Sequence, residues 1–276
     1  MSEKRIGFIG CGNMATAILE NIIGNQIIKR NNLIIYDIIK DKTEYFNNKY
    51  KIEIAKDNSD LIQKADIIFL AIKPQSLNDL EKEIKNNNFA EKCIVSIMAG
   101  IKTDKLSNIF KNAQIVRTMP NTPALVSEGM TGIYFKNINE QNKEIIINIF
   151  SSIGDYVIVQ KEEILNLITA ISGSGPAYIF YIIEAIEEAI CEINKFSDSE
   201  KIEGRKIILQ TIKGAIKLIE ETKEEPEKLR KKVTSRKGTT EAAINEFEKK
   251  ELKEIIKEGI KAAYKRAIEL GEELSK

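Results

Sequence analysis

The chain has 276 residues, of which 43% are hydrophobic and 30% are charged, enough to form one large or two modest folded domains. The 42 Lys and Arg residues nearly balance 41 Asp and Glu, so no basic excess points to a nucleic-acid or membrane-surface partner. The absence of His excludes Ser-His-Asp and Cys-His nucleophiles and the His-based zinc motifs.

The first part of the chain alternates short apolar runs with segments of helical periodicity, which is typical of βαβ units and a parallel sheet. Met130–Phe135 and Tyr156–Gln160 are two further strand candidates on either side of a predicted helix, Asn139–Ile153. The other predicted strands are Arg5–Gly10, Leu33–Asp37, Asp66–Ile72, Cys93–Ala99 and Ile115–Met119, with helices at Asn13–Ile23, at Lys42–Tyr50 and from Ser76 onward.

After about Gln160 the strand signals stop, and apolar residues recur at three- and four-residue spacing. We therefore predict an α/β protein with an N-terminal Rossmann-like doubly wound sheet (residues 1–160) and an all-helical C-terminal dimerisation domain (residues 161–276). Long apolar helices of this kind favour burial against a second copy, hence a homodimer. The helices predicted here are Ile164–Ile171, Ala177–Asn194, Ser199–Glu221, Pro226–Val233 and Glu241–Leu274.

Gly10, Gly12 and Ala15 form a G-x-G-x-x-A turn between the first predicted strand and the first predicted helix. Gly10 permits the tight turn, Gly12 lets the backbone approach a pyrophosphate, and Ala15 allows close helix–strand packing. The helix N-terminus adds N–H donors and positive potential for phosphate. The turn predicts dinucleotide binding, and the alternative is a purely structural glycine turn.

Asp37 ends the second predicted strand, where an acidic side chain accepts bonds from the adenosine ribose hydroxyls and favours NAD. Lys40 and Lys42 follow closely and could hold a 2′-phosphate instead, so NADH and NADPH both remain open. Ligands of such sheets lie at the carboxyl ends of the strands. Lys73 at such an end is either a cofactor neighbour or an ordinary loop lysine, and Ala99 is small enough to admit a nicotinamide.

Five motifs, in order along nearly the whole chain, resemble pyrroline-5-carboxylate reductases. The last three are more specific than the glycine turn. The motifs are Gly7-Phe8-Ile9-Gly10-Cys11-Gly12-Asn13-Met14, Ala71-Ile72-Lys73-Pro74, Met119-Pro120-Asn121-Thr122-Pro123, Ser172-Gly173-Ser174-Gly175-Pro176-Ala177-Tyr178 and Gly238-Thr239-Thr240.

The resemblance implies NADPH- or NADH-dependent reduction of the cyclic imine 1-pyrroline-5-carboxylate to L-proline, the last step of proline biosynthesis. It also implies a homodimer or a decamer of five dimers, with substrate at the dimer interface. The substrate would lie near Ser235, Gly238, Thr239 and Thr240. The residues implied to bind the cofactor are Ile9, Gly10, Cys11, Gly12, Asn13, Met14, Asn58, Ala71, Ile72, Lys73, Pro74, Ile97, Met98 and Ala99.

The residue chemistry of the Gly-Thr-Thr turn agrees with that substrate. A Ser/Thr/Gly turn that opens a helix offers N–H groups and hydroxyls to a carboxylate, and Thr240 can hydrogen-bond the ring nitrogen as hydride arrives. The alternative for Thr239 and Thr240 is N-capping of the following helix. Asn121 is either an active-site group or a turn residue, and Arg117 is expected to anchor structure.

One loop departs from the family pattern. Gly238 is usually preceded by Ser-Pro-Gly, but here by Ser235, Arg236 and Lys237. With Arg230, Lys231 and Lys232, this gives five basic residues around the proposed substrate loop. The positive electrostatic potential of these residues suits the anionic substrate that the resemblance implies. It equally suits a different substrate that is larger or more acidic. A related reductase of another small imino or keto acid and a non-catalytic dinucleotide-binding regulator are therefore the alternatives.

The three cysteines lie too far apart for a disulfide framework or a zinc cluster, which predicts free thiols, no metal and a cytoplasmic protein. The N-terminus runs directly into the first predicted strand, so we expect no signal peptide. No apolar run approaches the roughly 20 residues of a membrane span. We therefore expect a small-molecule substrate and neither a nucleic-acid nor a membrane partner.

Overall fold

The computed structural model describes residues 4–193 and 198–274, and the chain divides into two compact units. The first unit comprises residues 1–176 with 262–276, and the second comprises residues 177–261. All strands of the described chain belong to the first unit, and the described part of the second unit folds into helices. The predicted helix end at Asn194 lies outside the described residues.

Eight strands build the sheet of the first unit: β1 (Ile6–Ile9), β2 (Leu33–Tyr36), β3 (Glu53–Ile54), β4 (Ile67–Leu70), β5 (Cys93–Ser96), β6 (Gln114–Met119), β7 (Gly129–Asn137) and β8 (Gly154–Ile158). Their order across the sheet is β3-β2-β1-β4-β5-β6-β7-β8. Neighbours are parallel except β6 and β7, which pair antiparallel. Because β2 and β4 flank β1, a topological switch point lies at the carboxyl end of β1.

The central strands are buried on both faces, as parallel strands with helices on either side must be. All four residues of each of β1, β4 and β5 are buried. Alternate residues enter different cores, since Phe8 belongs to one buried cluster and Ile9 to another. The Phe8 and Phe69 rings stack across β1 and β4 with centroids 4.6 Å apart. The predicted Rossmann-like sheet is confirmed.

Twelve α-helices are present in the described chain, and all its regular elements after β8 are helices joined by short loops. A π-helical turn, Thr169–Gly173, interrupts the chain between α7 and α8. The helices are α1 (Asn13–Gly24), α2 (Lys40–Tyr50), α3 (Asn58–Lys64), α4 (Leu77–Ile84), α5 (Thr103–Ile109), α6 (Glu140–Ser151), α7 (Ile164–Ile168), α8 (Gly175–Ile193), α9 (Asp198–Thr222), α10 (Pro226–Lys232), α11 (Thr239–Lys249) and α12 (Leu252–Glu273).

Three short elements of the first unit, β3, α3 and α5, were not predicted. Strand β3 has two residues, both exposed, so it leaves no apolar pattern in the sequence. Helices α3 and α5 have seven residues each, too few for a clear period. Local capping defines the start of α3, where the side chain of Asp57 accepts the N–H of Asp60 at 2.7 Å.

The prediction of one helix over Glu241–Leu274 is wrong, because the structure has two helices, α11 and α12, in this range. Glu251 between them adopts a left-handed conformation with φ of 55°, and its carbonyl accepts the N–H groups of Glu254 and Ile255 to start α12. Neither Gly nor Pro occupies the break, so the sequence carries no breaker signal there.

Helix α8 is unusually apolar for a helix with no buried residue. Phe180 and Tyr181 are 64% and 73% exposed. The helical stretch Ile164–Ile193 has a mean hydropathy of 1.2 and is long and apolar enough to cross a membrane by length and composition alone. No uninterrupted apolar run in this stretch approaches 20 residues, as expected, because Ser, Gly, Pro and Glu residues break it, and length and composition alone are weak evidence for a membrane span. A helix that packs against another protein helix meets the same criterion, and large exposed apolar patches mark either kind of interface.

Candidate active site

The glycine turn joins β1 to α1 in a conformation that requires glycine. Gly10 has φ of 95°, and a Cβ atom there would lie 2.6 Å from the carbonyl oxygen of Ala71. A Cβ at Gly12 would meet no atom within 4 Å, so the backbone there faces open space. Gly12 is the N-cap of α1 and no side chain caps it, so the first N–H groups of the helix remain available. The turn has the features of a phosphate-binding site.

The ends of β1, β4 and β5 place the other predicted cofactor segments beside this turn. The N–H of Ala71 donates to the carbonyl of Ile9 at 2.8 Å, and the N–H of Ile97 donates to the carbonyl of Leu70 at 3.3 Å. Residues 71–74 and 97–99 therefore follow adjacent strand ends at one edge of the sheet. The Met98 side chain is buried in the core, so only its backbone is available to a ligand at this edge.

Asp37 directly supports the glycine turn. Its Oδ2 accepts the N–H of Cys11 at 2.7 Å, and its Oδ1 accepts the N–H of Ile39 at 2.9 Å. Burial, and then the Asp37 carboxylate, raise the pKa of the Cys11 thiol to about 12, although Lys42 opposes the shift. Cys11 is therefore a neutral packing residue that contributes its backbone to the turn.

Asn58 opens α3 and is buried, with its Nδ2 donating to Glu83 Oε2 at 2.8 Å. Its Oδ1 is buried without a hydrogen-bond partner among the described residues. The amide nitrogen is therefore bonded to Glu83, which the sequence did not indicate, while Oδ1 is left as an unused acceptor. Glu83 lies on α4, 25 residues away, and only the fold brings the two side chains together.

Arg117 anchors structure, as expected, through a buried ion pair with Glu162. Its Nη1 lies 2.8 Å from Glu162 Oε1. The same carboxylate accepts the N–H of Thr103 at 2.8 Å and its hydroxyl at 2.6 Å. The pair thus ties β6 to the start of α5 and to the segment before α7. Glu162 was missed because it lies 45 residues from Arg117 and belongs to no motif.

Asn121 joins two of the motifs. Its Nδ2 donates to the carbonyl and the hydroxyl of Ser172, both at 3.1 Å, and its Oδ1 accepts the N–H of Met130 at 2.8 Å. Both ends of the amide are therefore occupied by the protein, which favours the structural role over the active-site role. Ser172 lies in the π-helical turn, a type of irregularity frequent at functional sites.

The Gly-Thr-Thr turn in the second unit presents open hydrogen-bonding groups. Gly238 is the N-cap of α11, and its N–H donates to the carbonyl of Ser235 at 3.0 Å. Thr239 and Thr240 are the first two helical residues, and no side chain caps the helix. N-capping by these threonines is therefore not what the structure shows. The first-turn N–H groups and two hydroxyls remain available for a carboxylate.

Sequence comparison decides which family this arrangement belongs to. The curated pyrroline-5-carboxylate reductase of Haemophilus influenzae is 33% identical over 273 residues, covering 98% of both chains. The chain belongs to the pyrroline-5-carboxylate reductase family. Two family models agree with this: "NADP oxidoreductase coenzyme F420-dependent" matches residues 5–100, and "Pyrroline-5-carboxylate reductase dimerisation" matches residues 162–270.

Solved structures of the family have the same fold. The Plasmodium falciparum pyrroline carboxylate reductase with NADP bound has a TM-score of 0.87 and 30% identity, over 98% of this chain and 99% of that chain. The pyrroline-5-carboxylate reductase of Coxiella burnetii has a TM-score of 0.85 and 33% identity over the same shares. The predicted family, its NAD(P)H-dependent reduction of 1-pyrroline-5-carboxylate to proline and its helical dimerisation domain are confirmed.

The five basic residues around the proposed substrate loop fall into two groups. Arg230, Lys231 and Lys232 lie on α10 and each has a glutamate partner, at 3.8, 2.6 and 2.6 Å. Arg236 and Lys237 are exposed and make no ion pair with the described residues. Lys237 has φ of 62°, a left-handed conformation that suits the glycine usual in the family. Positions 236 and 237 therefore add positive charge without a side-chain ion pair to the described residues, although the Glu241 carboxylate accepts the N–H of Lys237 at 2.6 Å.

Proposed function

We propose that the edge at β1, β2, β4 and β5 binds the reduced nicotinamide cofactor, and that the Gly-Thr-Thr turn binds 1-pyrroline-5-carboxylate. The glycine turn is the observation that supports the cofactor site. Gly10 has a positive φ that favours glycine, and no side chain caps the N-terminus of α1. The proposed cofactor residues are Ile9, Gly10, Cys11, Gly12, Asn13, Met14, Asp37, Asn58, Ala71, Ile72, Lys73, Pro74, Ile97, Met98 and Ala99.

In the proposed site each part of the chain has a distinct task. The N–H groups at the start of α1 bind the pyrophosphate, because a helix N-terminus carries positive potential. Ser235 and Thr239 bind the substrate carboxylate with hydroxyl and backbone donors, which form charge-assisted hydrogen bonds. Gly238 shapes the turn beside them through its N–H bond to the Ser235 carbonyl. The Thr240 hydroxyl hydrogen-bonds the ring nitrogen and holds its proton in place. The cofactor, when bound, supplies the hydride.

The proton on the ring nitrogen has no imidazole source, since the chain contains no His. The Cys11 thiol is neutral and buried, so it is unsuited to proton exchange with a ligand. The imine therefore binds already protonated, or it receives its proton from solvent or through a hydroxyl such as that of Thr240. Positioning of the imine and the hydride donor is then the main contribution of the protein.

Replacing Thr240 by valine tests the proposed role, because the change removes the hydroxyl and keeps the shape. We expect kcat to fall by about 100-fold, the lower range for a positioned proton-handling group, and Thr240→Ser to restore much of it. Thr222→Val is the matched control, since the Thr222 hydroxyl donates to the Leu218 carbonyl on exposed α9. An unchanged kcat in Thr240→Val would refute the role.

We also propose an assembly, a homodimer or a decamer of five such dimers, in the cytoplasm and without membrane or nucleic-acid partners. The exposed apolar side chains of α8 and the dimerisation family match support a second copy as the partner of this helix. Residues 1–160 are proposed as the cofactor domain and residues 161–276 as the dimerisation and substrate domain. Light scattering should give two or ten times the chain mass of 31.2 kDa, and a monomer would contradict the proposal.

A further inference from the structure

Asp37 is a fixed carboxylate at the end of β2. Both of its oxygens accept backbone N–H groups, from Cys11 and from Ile39, and the side chain is 9% exposed. One of these bonds holds the glycine turn itself, so the carboxylate cannot turn aside without loosening that turn. A ligand that binds along the turn must therefore tolerate the negative charge of the Asp37 carboxylate beside it.

The residues after Asp37 are apolar and exposed. Ile38 is 84% exposed and Ile39 is 49% exposed, although large apolar side chains are usually covered. Sites that accept the 2′-phosphate of NADP have an arginine nearby, and no arginine lies between Asp37 and Tyr50. The Nζ of Lys42 lies 3.8 Å from Asp37 Oδ2, so its charge is partly compensated. Ile38 offers an apolar surface of the kind that an adenine ring covers.

Further carboxylates act on the same strand end. Burial raises the pKa of Tyr36, and the charges of Glu83, Asp57 and Asp37 raise it further. Glu83 is held by the bond from Asn58 described above. Three carboxylates therefore act on the end of β2, and Lys42 offsets part of the charge of Asp37. A 2′-phosphate carries a charge of about −1.5 to −2 near neutral pH, as phosphate monoesters do, and is repelled there.

We propose that Asp37 and Ile38 make this enzyme select NADH over NADPH. Asp37 accepts hydrogen bonds from the adenosine ribose hydroxyls, Ile38 covers the adenine ring, and the surrounding carboxylates oppose a 2′-phosphate. The inference rests on the cofactor site proposed above. It predicts a kcat/KM for NADH at least tenfold above that for NADPH.

Two measurements on the purified full-length enzyme test this inference. Initial rates with each cofactor give the kcat/KM ratio, and calorimetric titration with NAD⁺ and NADP⁺ gives the binding preference without turnover.

Asp37→Asn keeps an oxygen that can accept the Cys11 N–H but removes the charge, so the preference for NADH should fall at least fivefold. Asp37→Ser combined with Ile38→Arg should bring the preference to NADPH. The control Asp155→Ser removes a carboxylate from β8, about 29 Å away at about 4.8 Å per strand, and should leave the ratio unchanged.

The outcomes separate the inference from the proposed function. A wild-type enzyme that uses both cofactors equally, or that prefers NADPH, would overturn the inference while the cofactor site stands. Loss of an NADPH preference in Lys40→Ala would assign that preference to Lys40. An NADH preference that survives both sets of Asp37 changes would overturn the assignment to Asp37 and Ile38. Failure of the wild type to bind either dinucleotide would refute the cofactor site, and the inference with it.

Discussion

Replacement of Glu162 by alanine leaves the guanidinium of Arg117 buried without its carboxylate partner. The Arg117 side chain is 5% exposed and that of Glu162 is 17% exposed, so water replaces little of the lost interaction. The change also removes the acceptor of two hydrogen bonds from Thr103. Three donors therefore lose one shared acceptor, and the guanidinium has the largest desolvation penalty.

The expected loss in the free energy of unfolding is about 3 kcal/mol. Breaking a buried ion pair by removing one partner costs about 3–5 kcal/mol, and the lower end applies because Glu162 is partly exposed. The Thr103 bonds share the same carboxylate, so their contributions overlap and are not added. At about 2–4 °C per kcal/mol for a domain of 150–250 residues, Tm should fall by about 6–12 °C.

Urea unfolding of four variants tests this stability prediction. Arg117→Met combined with Glu162→Ala leaves no unpaired charge, so the double variant should lose less stability than the two single losses together. Glu140→Ala is the control, because Glu140 is 88% exposed in its pair with Lys143 and should cost less than about 1 kcal/mol. A loss below about 1 kcal/mol for Glu162→Ala would refute the reasoning.

Three further predictions concern the cofactor turn, the substrate loop and the pH dependence. Gly10→Ala should abolish dinucleotide binding in calorimetry, because its Cβ would lie 2.6 Å from the Ala71 carbonyl, and an unchanged Kd would contradict this. Lys237→Gly should raise the free energy of unfolding by up to about 1 kcal/mol by relieving a left-handed conformation, and a loss would contradict this. Burial raises the pKa of Cys11 and of Cys93 from 9.0 to about 12, so only the unfolded state ionises as the pH rises above 9.0. Stability should therefore fall over that range in urea titrations, and less steeply in Cys93→Ala.

Local patterns predicted the glycine turn and the strands around it, for physical reasons. The conformation at Gly10 is required by a neighbour at the adjacent strand end, and such turns recur wherever a strand leads into a phosphate-binding helix. Asp37 ends the next strand, where the same geometry places it beside the turn. Strands buried on both faces also leave continuous apolar runs, which made the sheet predictable.

The features that the sequence did not reveal depend on contacts between distant segments. Glu162 and Arg117 are separated by 45 residues, and Asn121 and Ser172 by 51, so no local spacing links them. The exposure of Ile38 is likewise set by the path of the chain after β2, because apolar residues are usually expected inside. The helix break at Glu251 adopts a left-handed conformation without the Gly or Asn that would announce it.

The most direct test of the proposed function is the conversion of 1-pyrroline-5-carboxylate by the purified protein with NADH or NADPH. Cofactor oxidation is followed by absorbance, and L-proline is quantified in the same reaction. We predict one molecule of L-proline per molecule of cofactor oxidised, in an enzyme that contains no His. Absence of cofactor oxidation with both dinucleotides, or oxidation without proline formation, would contradict the proposed function.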